Sequence, residues 1–170
     1  MNLKIVGAGM IIAGCGGVGF SMAASHRREE KAMRQMIAAL DYMGWELQYR
    51  LTPLPELCRK AANENSGAVK DILMTLCAEL ESQIAPDASA CMKAALKKHP
   101  KIPLRLKKAM EQLGLSLGRF DLPGQLNGLD SVRHQCRREL EELSRDRSVR
   151  LRSYQTLGLC AGSALAILFL

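Results

Sequence analysis

The sequence contains few aromatic residues for a chain so rich in apolar ones. Only 4% of its 170 residues are Phe, Trp or Tyr, although 48% are hydrophobic. A packed soluble core of that apolar content normally contains more aromatic side chains. The surplus of aliphatic residues therefore lies somewhere unusual, and we expect it in the two ends of the chain.

The motifs that mark common active sites are also missing. The sequence contains no GxxxxGK[ST] phosphate loop, no HExxH zinc motif and no strand-borne nucleophile elbow. The stretch GAGMIIAGCGGVG at 7–19 is superficially like a dinucleotide loop, but no predicted strand and helix flank it. We therefore expect a protein that is not an enzyme, with no cofactor and no small-molecule substrate.

The cysteines and histidines do not have the spacing of a metal site or a disulfide framework. The six cysteines are at 15, 58, 77, 91, 136 and 160, with no CxxC pair. His26 and His99 are not spaced to share a helix face with a cysteine, and His134 and Cys136 point to different sides of a helix. We expect no metal, and we interpret the internal cysteines as small core residues in a reducing compartment.

The chain carries an excess of positive charge, +7 at pH 7. Such an excess suits nucleic acid, a membrane surface or an acidic partner. The basic stretch from Lys93 to Lys108 contains no aromatic residue that could stack on bases. We therefore expect no nucleic-acid partner, and interpret the stretch as solvated helix surface or as a surface against anionic lipid head groups.

Residues 1–25 are predicted to form an N-terminal transmembrane helix. After Lys4, roughly twenty apolar or small residues follow, enough to cross a hydrocarbon core of about 30 Å. Small residues at every fourth position from Gly9 to Ser25 form a stripe along which another membrane helix could pack. Basic residues that include Arg27 and Arg28 follow at once, which favours the cytoplasm for the next part of the chain.

Two other interpretations of this end remain open. A signal peptide could be cleaved before Ala24, and IAGC, ending at Cys15, fits the lipidation site of a bacterial lipoprotein. Either would make the protein an exported lipoprotein or a secreted helical interaction module. The basic residues translocate poorly and the apolar run continues well beyond Cys15, so we favour a retained anchor.

Residues 154–170 are predicted to form a short C-terminal transmembrane helix. The closing stretch LGLCAGSALAILFL is uncharged, and from Ser153 the helix would be about 27 Å long, just enough to cross a bilayer. Four arginines precede it and are expected to hold its near end inside: Arg145, Arg147, Arg150 and Arg152.

The central residues, 26–153, predict an all-α cytoplasmic bundle of about six helices, whose first and last helices extend into the flanking transmembrane helices. The first helix is expected to end near Thr52, with Thr52 as a cap and Pro53 in the first turn of the next helix. Its apolar stripe is Met33, Ile37, Leu40, Leu47 and Leu51, with Gly44 in register. Further helices are predicted at about 67–84, 88–98 and 103–117, with Asp87 as a cap. A long final helix has the stripe Leu126, Leu129, Val132, Cys136, Leu140 and Leu143.

Several landmarks occur together in order. GFSMA closes the first apolar segment at 19–23, ELQYRLTPLPEL occupies 46–57, and LGRFDLPGQ occupies 117–125. A helix rich in glutamate and arginine and a short apolar tail follow. In these features the whole chain resembles the stage III sporulation protein AB family of spore-forming Firmicutes. Arg50, where the family commonly has glycine, and the Pro123-Gly124 pair depart from the pattern.

The resemblance implies a fold and a function that composition alone does not. It implies a helical domain of the kind found in the platform protein of type II secretion and type IV pilus machines. It also implies membership of the channel between mother cell and forespore, in the outer forespore membrane, with the central domain facing the mother-cell cytoplasm. The implied partners are the other membrane components of that channel, membrane lipids and a cytoplasmic secretion-type ATPase, sporulation protein AA.

The resemblance also indicates candidate partner-binding residues. Eight positions match the family's patterned ones: Glu46, Tyr49, Thr52, Pro53, Leu54, Gly118, Asp121 and Gln125. A structural interpretation competes with the functional one, since Thr52 and Asp121 are also plausible helix caps and Gly118 a turn residue. As a further possibility, a basic ATPase surface could meet acidic residues, either around Asp41 and Glu46 or at Glu139, Glu141 and Glu142.

Overall fold

A computed structural model describes the backbone of residues 2–118 and 121–169, and the side-chain surroundings of residues 25–118 and 121–145. Six α-helices follow one another, with no strand in the described backbone. They are α1 (Asn2–Arg50), α2 (Leu54–Asn63), α3 (Gly67–Ser82), α4 (Ala88–Lys98), α5 (Leu104–Ser116) and α6 (Leu122–Phe169). The predicted all-α bundle is therefore confirmed.

Consecutive helices pack against each other, and α1 packs along α6 to close the bundle. The two long helices run in opposite directions. Asp41 of α1 pairs with Arg133 of α6, whereas Glu29, earlier in α1, and Glu142, later in α6, both approach Arg105. The bundle thus has a loop end, with the α1–α2 and α5–α6 turns, and a tail end, where α1 enters and α6 leaves.

The core consists mainly of leucine, methionine and alanine. No aromatic residue whose side chain is described is fully buried in it. Met33, Met36, Met43, Met92 and Met110 are all completely inaccessible to solvent. Methionine fits irregular gaps between helices because its side chain is unbranched and flexible. The scarcity of aromatic residues is therefore also a property of the bundle core, which the sequence argument did not anticipate.

The predicted apolar stripes are confirmed with one exception. On α1, Met33, Leu40 and Leu47 are buried and Ile37 packs against the core. On α6 every predicted position is buried or packed against the core: Leu126, Leu129, Val132, Cys136, Leu140 and Leu143. The exception is Leu51, which is 67% exposed because α1 ends one residue before it and its φ is +52°.

The predicted helix boundaries agree with the structure to within about two residues, but one predicted cap is wrong. Asp87 caps α4 as expected, accepting a hydrogen bond from the backbone N–H of Ala90 at 2.7 Å. Thr52 does not cap α2. The cap position of α2 is occupied by Pro53, and the Thr52 hydroxyl instead donates to the Glu46 carboxylate.

The four cysteines of the central region are buried and unpaired, as expected for core residues: Cys58, Cys77, Cys91 and Cys136. Burial raises the thiol pKa of Cys58 and of Cys136 to about 12. It also raises the pKa of the Cys77 and Cys91 thiols above the ordinary value. Deprotonated, reactive thiolates are therefore disfavoured at these positions.

Within the residues whose side chains are described, no helix contains a stretch long and apolar enough to cross a membrane. The predicted transmembrane segments at 1–25 and 154–170 lie, apart from Ser25, outside those residues. Cys15 and Cys160 lie outside them as well.

Candidate partner-binding site

The eight candidate partner-binding residues all lie at the loop end. The end of α1 contributes Glu46 and Tyr49, and the α1–α2 turn and the first residue of α2 contribute Thr52, Pro53 and Leu54. The α5–α6 turn and the first turn of α6 contribute the other three, Gly118, Asp121 and Gln125. Residues about seventy positions apart in sequence are thus brought to one end of the fold.

Glu46 is a buried carboxylate that joins α1 to α2. Its side chain is completely inaccessible, and its Oε1 accepts hydrogen bonds from the Thr52 hydroxyl at 2.9 Å and from Lys60 Nζ at 2.7 Å. Arg50 Nη1 lies 3.8 Å from the same oxygen. The hydrogen bond from Lys60 is the main cause of the lowered Glu46 pKa; burial opposes it, and Thr52 supports it. The carboxylate therefore stabilises the α1–α2 turn from inside.

Gly118 forms the turn between α5 and α6 at the loop end. Its φ is +72°, a left-handed conformation that favours glycine. A Cβ at this position would lie 3.6 Å from Leu54 Cδ2 and 3.8 Å from the Cβ of Ala88. The start of α2, the start of α4 and the α5–α6 turn therefore meet here.

The start of α6 is capped as the structural interpretation predicted. Asp121 Oδ1 accepts a hydrogen bond from the backbone N–H of Gly124 at 3.1 Å, and the Asp121 carbonyl accepts from the Gln125 N–H at 2.9 Å. Asp121 thus has a structural role at the loop end, and Gln125 is half-buried beside it.

An exposed aromatic pair, only half of which the sequence indicated, lies at the end of α1. Trp45 is 50% exposed and Tyr49 is 67% exposed, with their ring centroids 5.6 Å apart. The guanidinium carbon of Arg50 lies 5.4 Å from the centroid of the Trp45 ring. Trp45 follows Gly44 of the buried stripe by one position, so about 100° of helical rotation turns it out of the core. The position of Trp45, one residue after the buried stripe, is therefore the sequence signal that could have identified it as exposed.

A shallow groove runs between α1 and α6 beside these aromatic rings. Its volume is about 420 Å³, and Gly44, Trp45 and Tyr49 line it on α1, opposite Leu126 and Asn127 of α6. No atom lies within 4 Å of the position that a Gly44 Cβ would take, so glycine leaves the floor of the groove open. Aromatic side chains with a polar rim are typical of protein–protein contact surfaces.

The two acidic surfaces considered from the sequence are separated in space. Glu46 is buried, so it does not form an exposed acidic face with Asp41, and Asp41 itself is paired with Arg133 at 2.9 Å. Glu139, Glu141 and Glu142 lie further along α6, where Glu139 accepts a hydrogen bond from Gln135 and Glu142 one from Arg105. Asp41 and Glu46 therefore do not form an exposed, unpaired acidic face.

The arginines predicted to set membrane topology lie toward the tail end where they are described. Arg27 and Arg28 are exposed on α1, and Arg145 is exposed on α6. The side chains of Arg147, Arg150 and Arg152 lie outside the described residues.

One further sequence pattern in the described residues does not form a reactive site. The string GLSLG at 114–118 matches GxSxG, but Ser116 ends helix α5 and its hydroxyl donates to the Gln112 carbonyl at 3.1 Å. No group of three or more His, Cys, Asp or Glu side chains among the described residues could hold a metal ion.

Comparison with known proteins identifies the family. The sequence matches the profile of the stage III sporulation protein AB family over residues 4–170. A solved structure of a stage III sporulation protein AB superposes with a TM-score of 0.64 at 19% identity, covering 72% of this chain and 98% of that one. That structural similarity supports the fold. A comparison with curated protein sequences gave no match. Because the family profile matches almost the whole sequence, the chain belongs to the stage III sporulation protein AB family.

Proposed function

We propose that this chain is a non-enzymatic membrane platform in the sporulation channel between mother cell and forespore, and that its loop end engages a cytoplasmic secretion-type ATPase. Family membership supports a role in sporulation. Anchorage by residues 1–25 and 154–170, the outer forespore membrane as location, and sporulation protein AA as the partner are parts of the proposal.

The antiparallel packing of α1 and α6 is the main support for a platform. α1 begins at Asn2, α6 ends at Phe169, and both continue past the bundle from its tail end. Two anchors attached in this way would hold the bundle by one end, so the loop end would face away from the bilayer. A cytoplasmic partner would then meet the loop end first.

The aromatic pair and groove at the loop end are the proposed contact surface. Trp45 and Tyr49 provide large apolar areas at small cost in conformational entropy, which suits the centre of a protein interface. Thr52 and Glu46 act indirectly in this proposal, because their hydrogen bond holds the α1–α2 turn. Pro53, exposed at the start of α2, and Leu54, which touches the α5–α6 turn, lie beside the surface.

Co-purification with sporulation protein AA tests the partner. The full chain, purified in detergent, should retain the ATPase, and Trp45→Ala with Tyr49→Ala should weaken the affinity about tenfold or more, as loss of interface hot spots does. Met74→Ala is the matched control, since Met74 is 42% exposed on α3, away from the groove. Equal retention by the double variant and the wild type would contradict a contact at the loop end.

The topology is tested with a cysteine introduced on the bundle. The native central thiols are unsuitable because they are buried, so Lys93→Cys, at an exposed position on α4, provides the reporter. In a chain with Cys15 and Cys160 replaced by serine, an impermeant maleimide should label it only after the cells are broken. Labelling in intact cells would favour the exported module instead.

A further inference from the structure

A cleft of about 720 Å³ opens at the tail end, between α1 and the starts of α3 and α5. Ser25 and Arg28 line it on α1, Gly67 on α3, and Lys101 and Leu104 at the start of α5. It lies at the opposite end of the bundle from the proposed ATPase surface.

The cleft presents three cations without acidic partners. Arg28, Lys31 and Lys101 all line it, all are exposed, and none forms an ion pair with a described residue. Some other basic residues of the bundle are paired, as Lys98 is with Glu79 at 2.6 Å, whereas exposed lysines such as Lys93 have no ion pair among the described residues but do not line this cleft. The carboxylate in the cleft wall, Glu29, lies 3.8 Å from the Arg105 Nε. The cleft therefore has uncompensated positive charge.

Two helix starts add to this positive potential. The first residues of α3 and α5, Gly67 and Leu104, both line the cleft. Neither helix has a side-chain hydrogen bond at its cap, and neither has an acidic residue in its first turn. The N–H groups of a first helical turn lack partners within the helix and carry partial positive charge, so they favour a bound anion.

The cleft also has an apolar side. Ile102, Pro103 and Leu104 also line it, and Leu104 is 64% exposed. Its α1 wall begins at Ser25, the last residue of the predicted transmembrane segment. A free phosphate would make no contact with the apolar residues. A phospholipid would place its phosphate on the cations, and its glycerol and the first part of its acyl chains against the apolar residues.

We propose that this cleft binds the head group of an anionic phospholipid. The inference rests on the proposed membrane anchorage, because that anchorage brings the tail end to the bilayer surface. The bound lipid would fix the rotation and height of the bundle relative to the membrane, which two terminal helices alone leave free. Basic pockets next to transmembrane helices are typical sites for anionic lipids.

Native mass spectrometry of the full chain in detergent provides the test, with dioleoyl phosphatidylglycerol and dioleoyl phosphatidylcholine as probes. The wild type should bind phosphatidylglycerol in preference to phosphatidylcholine. The triple variant Arg28→Gln, Lys31→Gln, Lys101→Gln should lose about tenfold or more in affinity for phosphatidylglycerol, since charge-assisted hydrogen bonds to phosphate are removed. Leu104→Glu, which adds a carboxylate at the cleft, should weaken binding as well.

A charge-matched variant separates the cleft from general electrostatic attraction. Lys93→Gln, Lys107→Gln, Lys108→Gln removes the same charge from exposed positions elsewhere, and should change the affinity by no more than about twofold. Equal losses in the two triple variants, or no loss in either, would overturn the proposal. Displacement of the lipid by millimolar inorganic phosphate would overturn the lipid assignment in favour of a soluble phosphate.

Carbonate extraction of cell membranes distinguishes this inference from the proposed function. The terminal segments should keep the cleft variant in the membrane even when its lipid affinity is lost. Release of the wild type by carbonate would refute the proposed anchorage, whatever the lipid measurements show. Retention of the wild type together with unaltered lipid binding by the cleft variant would refute the lipid site alone.

Discussion

At the scale of single residues, Glu46 illustrates how a charged side chain can serve the fold from inside. A buried carboxylate is costly unless it is paired and hydrogen-bonded. Glu46 meets that condition through Lys60 and Thr52, which both donate to Oε1, whereas Oε2 has no hydrogen-bond partner among the described atoms. Removing Lys60 would leave a buried, weakly compensated charge.

The Glu46–Lys60 pair predicts a pH-dependent stability. The pKa of Glu46 is lowered from 4.5 on folding, so the pair's contribution is present above that pH and is lost as the pH falls through the lower, folded-state pKa. Lys60→Met should lower the melting temperature by about 5 °C near neutral pH. The difference from the wild type should shrink at acid pH, well below 4.5, as the wild-type carboxylate becomes protonated and loses its interaction with Lys60.

Thermal unfolding followed by circular dichroism at the two pH values measures this effect. Lys93→Met is the control, because Lys93 is exposed and has no ion pair among the described residues. A difference between Lys60→Met and the wild type that stays constant with pH would show that the pair does not couple folding to protonation.

At the scale of elements, glycines decide how closely helices approach. A Cβ on Gly114 of α5 would lie 2.7 Å from the Cβ of Met92 on α4, and one on Gly128 of α6 would lie 2.7 Å from the Cβ of Ser116. Because a Cβ atom is bonded directly to the backbone, either clash could be relieved only by a movement of the helix. Gly44 of α1 faces open space instead.

Two glycine-to-alanine substitutions should therefore have opposite effects. Gly114→Ala should destabilise the bundle by about 1–3 kcal/mol, because it overpacks the α4–α5 contact. Gly44→Ala should stabilise it by about 0.5–1 kcal/mol, because alanine is the better helix former and meets no obstruction. Denaturant unfolding of both variants measures the two changes, and destabilisation by Gly44→Ala would show that the groove floor is not open.

At the scale of the whole molecule, the buried thiols report on the integrity of the bundle. Cys58, Cys77, Cys91 and Cys136 lie on four different helices, α2, α3, α4 and α6. A reagent reaches all of them only when the helices separate. Their reactivity therefore follows opening of the bundle as a unit.

With Cys15 and Cys160 replaced by serine, the folded chain should react with a disulfide reagent about two orders of magnitude more slowly than the denatured chain. Burial and the raised thiol pKa values both act in that direction. Lys93→Cys should add one fast-reacting thiol as an internal standard. Fast reaction of a native thiol under folding conditions would indicate that its helix opens independently of the others.

The whole molecule also has two ends with different surfaces. The loop end has exposed Trp45 and Tyr49, and the tail end has a cleft with Arg28, Lys31 and Lys101, which form no ion pair with the residues whose side chains are described. The proposed platform uses the first for a protein and the second for the membrane. This division agrees with the direction in which both long helices leave the bundle.

Local signals in the sequence were sufficient to predict the helices. Asp87 marked the start of α4, and the prolines at 53 and 103 lie at the starts of α2 and α5. Capping groups and prolines act on backbone atoms within one turn, so their effect is visible in a short stretch of sequence. Helical periodicity likewise identified buried positions on α1 and α6, except at Leu51, where the helix had already ended.

Only the tertiary structure decided what the loop end and the tail end present to a partner. Thr52 is of a residue type that commonly caps helices, but its hydroxyl donates to Glu46, six residues earlier. Glu46 in turn accepts a hydrogen bond from Lys60, fourteen residues further along the chain. The tail-end cleft likewise combines α1 with the starts of α3 and α5. The sequence by itself determined the helices, their buried faces and the family, because those depend on local or linear patterns. The burial of Glu46 and the two surfaces depend on contacts between distant segments, which arise only when the helices pack.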